Sequence, residues 1–341
     1  MPFILYAPNV HTGGGFVLLR ALLSDWPAGV PLRAFLDSRA RDRLVVPTMA
    51  SVSWVRPAVG ARLAAERHLR TAARSGDTVL CFHGLPPMLA SPSRVVVFQQ
   101  NRHYLGLTPL SHFKLRTALR LAFERFVSRA FRHHVAEYIV QTPTMERALA
   151  AWHGGHPVIR VLPFAESVPA QAATAPAWDF VYVSDGEAHK NHRQLLLAWT
   201  LLSSQGIRPR LALTLGPRDK GLADEVDALR NSGGAEVHNV GHLSHPDVLA
   251  LYAASRALIF PSLSESFGLP LIEARQVGLP ILASELDYVR DVCEPVHSFD
   301  PHSPVSIARA VRRFLDKPEP VLEMQSPGSL WAALGVLPDR A

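Results

Sequence analysis

The chain has 341 residues, more than one ordinary core holds and about two domains' worth. Apolar residues make up 48% and charged residues 19%, which excludes a disordered chain and fits a folded globular one. The net charge of +6 suits an anionic partner, and the two distant cysteines, Cys81 and Cys293, exclude a disulfide framework or a cysteine-built metal site. Their scarcity fits a reducing cytoplasm. No apolar run approaches the roughly 20 residues that span a bilayer. The start, Met1 to Pro8, has no basic segment and reads as a first buried strand rather than a secretory signal.

Short apolar runs then alternate with helical patterns. Phe3–Ala7, Pro31–Leu36, Thr78–Phe82, Val95–Gln99, Tyr138–Gln141 and Val158–Leu162 read as strands, with amphipathic stretches at Phe16–Leu23 and Arg62–Ala73. The small residues and prolines of Ser167–Ala177 carry no period and read as a linker. Beyond it the alternation restarts. Asp179–Ser184, Arg210–Leu215, Glu236–Val240, Ala257–Phe260 and Pro280–Ala283 read as strands. Gln194–Ser204, Leu222–Asn231, Pro246–Ala254 and Pro270–Val277 fill the gaps as helices, and Pro304–Leu315 is a last helix with Ser303 as its N-cap. The pattern predicts two doubly wound α/β domains whose ligand lies in the cleft outside the carboxyl ends of the strands.

The segment Phe260-Pro-Ser-Leu-Ser-Glu265-Ser-Phe-Gly-Leu-Pro270-Leu-Ile-Glu273 carries the most chemistry. A buried strand ends at Phe260, a polar loop follows, and Pro270 suits the first turn of a helix. The amides of Ser266, Phe267, Gly268 and Leu269 then face outward at a helix N-terminus, where an anion binds. Gly268 lets the backbone approach a ligand closely. Carboxylates accept well from paired hydroxyls, so Glu265 and Glu273 flanking a phosphate site describe a nucleotide sugar. The same two acids also fit a solvated loop and a helix-dipole partner.

This segment resembles the E-x7-E motif of family 4 glycosyltransferases, which are retaining enzymes of GT-B fold. Ser264, Phe267, Gly268, Pro270, Glu273 and Ala274 match the motif, and Gly278 to Ala283 resembles the strand that follows it. The resemblance implies that Glu265 contacts the transferred sugar and Glu273 holds the ribose. It divides the chain into an acceptor-side Rossmann-like domain (1–167), a nucleotide-sugar-binding one (178–315) and a tail (316–341). The run Tyr182 to His192 resembles the family's strand-loop-helix that presents a lysine to the donor diphosphate, which makes Lys190 the stabiliser of leaving-group charge. Most relatives place an arginine just before that lysine. Ser184, Asp185 and Gly186 stand there instead, so Arg218 and Lys220 become candidates for the missing charge.

In the first domain, His11-Thr-Gly-Gly14-Gly15-Phe opens a helix, and its glycines permit close approach to a ligand. Gly13 and Gly15 fit part of a dinucleotide fingerprint with Asp37 near the ribose position, but Leu18 stands where the third glycine belongs. The loop also resembles the family's Gly-rich loop facing donor and acceptor, which assigns Gly14 and Gly15 to the donor. His83, in Cys81 to Pro87, either approaches the sugar and acceptor or is a structural loop histidine. No D-x-D occurs, which fits transfer without a metal or other cofactor, Lys190 and helix amides taking the metal's place.

Ser111–Glu137 reads as one basic amphipathic helix, with Lys114, Arg116, Arg120, Arg125, Arg129 and Arg132 among Phe113, Leu115, Leu119, Leu121, Phe123, Phe126 and Phe131. It either lies on an anionic membrane surface or packs on the core with a solvated face. No nucleic-acid reading element is visible. The expectation is a cytoplasmic hexosyltransferase, peripheral on the inner face of the plasma membrane. It would join a UDP- or GDP-linked sugar to a glycan or lipid-linked acceptor in surface polysaccharide or lipopolysaccharide synthesis. A non-catalytic sugar-nucleotide-binding subunit and a sugar-nucleotide epimerase of the same fold remain alternatives.

Overall fold

The computed structural model describes residues 3–155, 157–168, 175–320 and 324. The middle of the predicted linker (169–174) and most of the predicted tail (321–323 and 325–341) lie outside the described residues.

Among the described residues the chain forms two parallel sheets. The first holds β1 (Phe3–Ala7), β2 (Leu32–Asp37), β3 (Ala50–Val55), β4 (Thr78–Cys81), β5 (Arg94–Phe98), β6 (Glu137–Val140) and β7 (Ile159–Val161), in spatial order β3-β2-β1-β4-β5-β6-β7. The second holds β8 (Trp178–Tyr182), β9 (Leu211–Leu213), β10 (Val237–Asn239), β11 (Ser255–Phe260), β12 (Ile281–Ser284) and β13 (His297–Phe299), in order β10-β9-β8-β11-β12-β13. Helices α1 (Gly13–Ser24), α2 (Val59–Ala72), α3 (Leu115–Ala130) and α4 (Pro143–His153) accompany the first sheet. The second is accompanied by α5 (His192–Ser204), α6 (Lys220–Asn231), α7 (His245–Ala253), α8 (Leu269–Gln276), α9 (Asp287–Arg290) and α10 (Pro304–Phe314).

Strand periodicity explains how both faces of the first sheet are covered. Successive side chains alternate faces, so Ile4 and Tyr6 join the core under α2 and α4, with Leu69 and Met145. Leu5 and Ala7 join the opposite core under α1, with Leu19 and Leu23. A parallel strand buried on both faces reads as an unbroken apolar run, which is why β1 stands out in the sequence. The second domain closes around Trp199, which is 1% exposed, donates Nε1–H to Pro209 O at 2.9 Å and meets Phe180 edge-on. Leu269 packs against the cores of both domains.

Two strands outside the sequence prediction, β3 and β13, are edge strands whose apolar run is broken by polar residues, Ser51 and Ser53 in β3 and His297 and Ser298 in β13. The predicted helix over Ser111–Glu137 is corrected. Only Leu115–Ala130 is α-helical, between 3-10 turns at Leu110–His112 and Arg132–His134. Glu137 instead opens β6, buried and paired with Arg94 and Arg160. The apolar residues of α3 also divide. Leu121 and Val127 face the core, whereas Leu115, Leu119, Phe123 and Phe126 are 74%, 63%, 58% and 62% exposed.

Candidate functional site

In an open parallel sheet the ligand crevice lies where strand order reverses. In the second sheet that point is between β8 and β11. The loop after β8 carries Lys190 and the loop after β11 carries Glu265, so the topology brings together the two motifs that lie farthest apart in the domain's sequence. Lys190 Nζ donates to Glu265 Oε1 at 2.8 Å, with the side chains only 17% and 13% exposed. Ser262 Oγ donates to the same oxygen at 2.8 Å. The pair is therefore charge-neutral and largely desolvated.

The backbone around Lys190 is tightly held. Lys190 ends a 3-10 turn (Ala188–Lys190), and its carbonyl accepts from Tyr182 OH at 2.7 Å. Asn191 follows with φ +64°, a left-handed conformation uncommon outside glycine. Its Nδ2 donates to Pro261 O at 3.1 Å and Pro301 O at 2.7 Å. Leu263 N donates to His189 O at 2.8 Å, which sews the two switch-point loops together.

Helix α8 starts where the sequence predicts, with Pro270 in its first turn and Gly268 as N-cap at φ +72°. The first-turn amides of a helix have no intrahelical acceptor, so Gly268 and Leu269 offer backbone donors here, Pro270 having no N–H and Leu271 N donating to Gly268 O at 2.9 Å. Phe267 has a second duty, since its side chain is buried in the core of the domain. Glu273, on the same helix, accepts from Tyr252 OH at 3.1 Å and faces His245 Nε2 at 3.1 Å. His245 Nδ1 lies 3.5 Å from Arg20 Nη2, a donor only, which leaves the ring proton on Nε2 for Glu273. Arg20 belongs to α1 and also grips Glu166 at 2.6 Å, so the chain of contacts crosses between the domains. Burial pushes the Glu273 carboxyl above its usual range, against the opposing pull of His245 and Tyr252.

The first sheet reverses order between β1 and β4. Gly14 and Gly15 follow the one and His83 follows the other. A Cβ on Gly14 would lie 3.3 Å from Leu269 Cδ1, and one on Gly15 would lie 2.9 Å from Gln100 Oε1. Gly14 thus lets the first domain touch the start of α8, whereas Gly15 makes room for Gln100 of its own domain. His83 Nδ1 lies 3.3 Å from Tyr6 O, and burial lowers the ring pKa to about 4. A neutral ring donating at Nδ1 keeps Nε2 as an acceptor for a hydroxyl. Asp37, the ribose position of the dinucleotide reading, is instead locked by Arg39 at 2.6 Å and caps the turn Ser38–Arg43.

Arg218 is exposed on the turn Pro217–Asp219, just before Lys220 opens α6. From that turn it is Asp219 that meets the loop after β8, for a Cβ on Gly186 would come within 2.7 Å of Asp219 Oδ1. That contact explains why no larger residue stands at 186.

Three site residues were not assigned from the sequence, and a fourth, Arg102, stands in the strand-end run Gln99 to Arg102 that matches the family's look. Ser262, His245 and Tyr252 contact the two glutamates directly. Arg102 comes from the first domain: its amide donates to Ser266 Oγ at 3.4 Å, and it shares a cavity of about 260 Å³ with Glu265, Thr144 and Tyr288. Pockets for a whole drug-sized ligand run to roughly 300–1,000 Å³, so this one takes part of a ligand. Nearby, burial and His189 lower the His103 pKa to about 4.

The family model described as glycosyl transferases group 1 matches residues 166–328. The chain is 32% identical over 154 residues to the serotype-specific mannosyltransferase WbdA of Escherichia coli, covering 44% of this chain and 18% of that one. Identity to O-antigen chain mannosyltransferase B of Escherichia coli is 33% over 132 residues, 38% and 34% of the two chains. The chain thus matches about a fifth to a third of the length of these relatives. The structure of HepE of Anabaena with UDP and glucose superposes at a TM-score of 0.64 with 15% identity, over 93% of this chain and 90% of that one. The fold is GT-B, with two Rossmann-like domains facing each other.

Proposed function

We propose that the protein is a retaining, metal-independent glycosyltransferase. It moves a hexosyl unit from a UDP- or GDP-sugar to a hydroxyl of a glycan or lipid-linked acceptor in bacterial surface polysaccharide or lipopolysaccharide synthesis. The observation that carries this reading is the Lys190–Glu265 pair, 2.8 Å apart, beside the N-terminus of α8, with Glu273 one turn into the helix. Similarity to two mannosyltransferases, one of O-antigen chains, supports the reaction class, and likeness to a protein solved with UDP supports the donor.

The donor diphosphate sits on the Ser266–Leu269 amides, and Lys190 turns from Glu265 to it. Glu265 then accepts from hydroxyls of the transferred sugar, and Glu273 accepts from the ribose. The acceptor hydroxyl attacks C1 from the face the diphosphate leaves. The C1–O bond to phosphate breaks as the C1–O bond to the acceptor forms, and the departing phosphate oxygen takes the acceptor proton. Lys190 and the helix amides stabilise charge that grows only in the transition state. His83 Nε2 accepts from a sugar or acceptor hydroxyl.

The protein works in the cytoplasm at the inner membrane face. No helix among the described residues is long and apolar enough to cross a membrane. The outer face of α3 supports peripheral docking, because Leu115, Leu119, Phe123 and Phe126 form an exposed stripe flanked by exposed Lys114, Arg116, Arg120 and Arg129.

The test is nucleotide binding and sugar release measured on variants. Glu273→Ala is expected to weaken UDP or GDP binding, and Glu265→Ala mainly to lower turnover. Normal turnover in both variants overturns the assignment.

A further inference from the structure

We propose that Arg102 is the alternate partner of Glu265, taking over the carboxylate when Lys190 swings to the donor diphosphate. The inference rests on the glycosyltransferase reading and assigns a role to a residue of the opposite domain.

The need arises from charge. Lys190 is neutralised by Glu265 at 2.8 Å. A ligand with two phosphates gains little from a neutral pair, and drawing Lys190 away strands a carboxylate that is only 13% exposed. Leaving one member of a buried pair without its partner is costly. The surroundings on the second domain add negative charge, since Asp185, Glu187 and Asp219 all lie near. Burial and Asp185 raise the Glu187 carboxyl, and Glu265 and Asp219 push in the same direction. The position where an arginine would help is closed, because Gly186 abuts Asp219.

Arg102 meets the need from the other side of the cleft. Its backbone docks on the anion loop through the amide–Ser266 Oγ contact at 3.4 Å. It lines the same cavity as Glu265, with room for the guanidinium to move. Its Nε is buried with no hydrogen-bond partner. A buried, unpartnered guanidinium N–H beside a carboxylate that already has a partner is a donor held in reserve. With Arg102 engaged, the group Lys190, Arg102 and Glu265 carries a net positive charge, and Lys190 is released to the phosphates. Arg102 is thus a positioning residue, acting on the donor through Glu265.

The experiment is calorimetric titration of the full chain with UDP and with GDP, on the unsubstituted protein and on Arg102→Gln, Arg102→Lys, Glu265→Gln and Arg102→Gln/Glu265→Gln. Arg102→Gln is expected to weaken nucleotide binding roughly 10-fold, the worth of one charge-assisted hydrogen bond. Arg102→Lys keeps the charge and is expected to retain most of the affinity, which also covers a glutamine variant that fails to fold. The double variant is expected to bind like Glu265→Gln alone, because without the carboxylate Lys190 needs no relief. Unchanged binding in Arg102→Gln overturns the proposal. So does a loss that Glu265→Gln fails to rescue, which would put Arg102 on the diphosphate itself. Either result leaves the glycosyltransferase reading standing. An unsubstituted protein that binds neither nucleotide removes both.

Discussion

Asn191 offers a sharp test of how Lys190 is aimed. The residue holds φ +64° and ties two loops through Pro261 O and Pro301 O. Alanine there loses two hydrogen bonds at about 1 kcal/mol each. It also adds about 1 kcal/mol, because a side chain with no polar group tolerates the left-handed region poorly. Asn191→Ala should therefore cost about 3 kcal/mol. Asn191→Gly loses the same bonds but adopts the conformation freely, and should cost about 1–2 kcal/mol. Urea denaturation followed by circular dichroism reads both. Because Lys190 is the adjacent residue, Asn191→Ala should also weaken UDP or GDP binding about 10-fold, whereas Asn191→Gly stays within about threefold. Alanine no worse than glycine in either measurement would refute the strained-hinge reasoning.

Glu265→Gln should tighten nucleoside diphosphate binding about fivefold, since it frees Lys190 and removes a repulsion of order 1 kcal/mol, while transfer falls at least about 100-fold; weaker nucleotide binding would contradict this. His153 is 3% exposed, neither ring nitrogen has a hydrogen-bond partner, and burial lowers its pKa to about 4. As pH falls from about 6.5 toward 4 the unfolded chain takes up this proton first, so the group costs stability on the acid side. His153→Leu should flatten that slope and add about 1–2 kcal/mol at pH 7.5; denaturation curves at pH 7.5 and 5 that shift in parallel would count against it. Phe123→Asp with Phe126→Asp should abolish sedimentation with vesicles containing anionic lipid, and Arg116→Glu with Arg120→Glu should reduce it in a salt-dependent way. Equal sedimentation of all three proteins rules out docking through α3.

The fold was largely legible because its central strands are buried on both faces. Phe3–Ala7 and Ala257–Phe260 leave no polar position to blur the run. In Ala50–Val55 and His297–Phe299 polar residues (Ser51, Ser53, His297 and Ser298) interrupt the apolar run and hide the strands. Helix α4 lies outside the predicted helices, although Thr142 as N-cap, Pro143 in the first turn and Gly154 at the end bound it. The basic segment misled because its apolar residues recur at helical spacing whether they face core or solvent; burial of Leu121 and exposure of Phe123 are tertiary facts. The site divides in the same way. Lys190, Glu265 and the start of α8 belong to local loop-helix patterns and can be read in sequence. His245 and Tyr252 reach Glu273 only through folding, across 28 and 21 positions of chain respectively. No local pattern marks them.

The most direct test is a crystal structure of the full chain with UDP or GDP bound. The diphosphate is expected on the Phe267–Leu269 amides within hydrogen-bonding reach of Lys190 Nζ, with the ribose hydroxyls on Glu273. A nucleotide seated elsewhere, with Lys190 still paired to Glu265 and Glu273 contacting only His245 and Tyr252, would contradict the assignment.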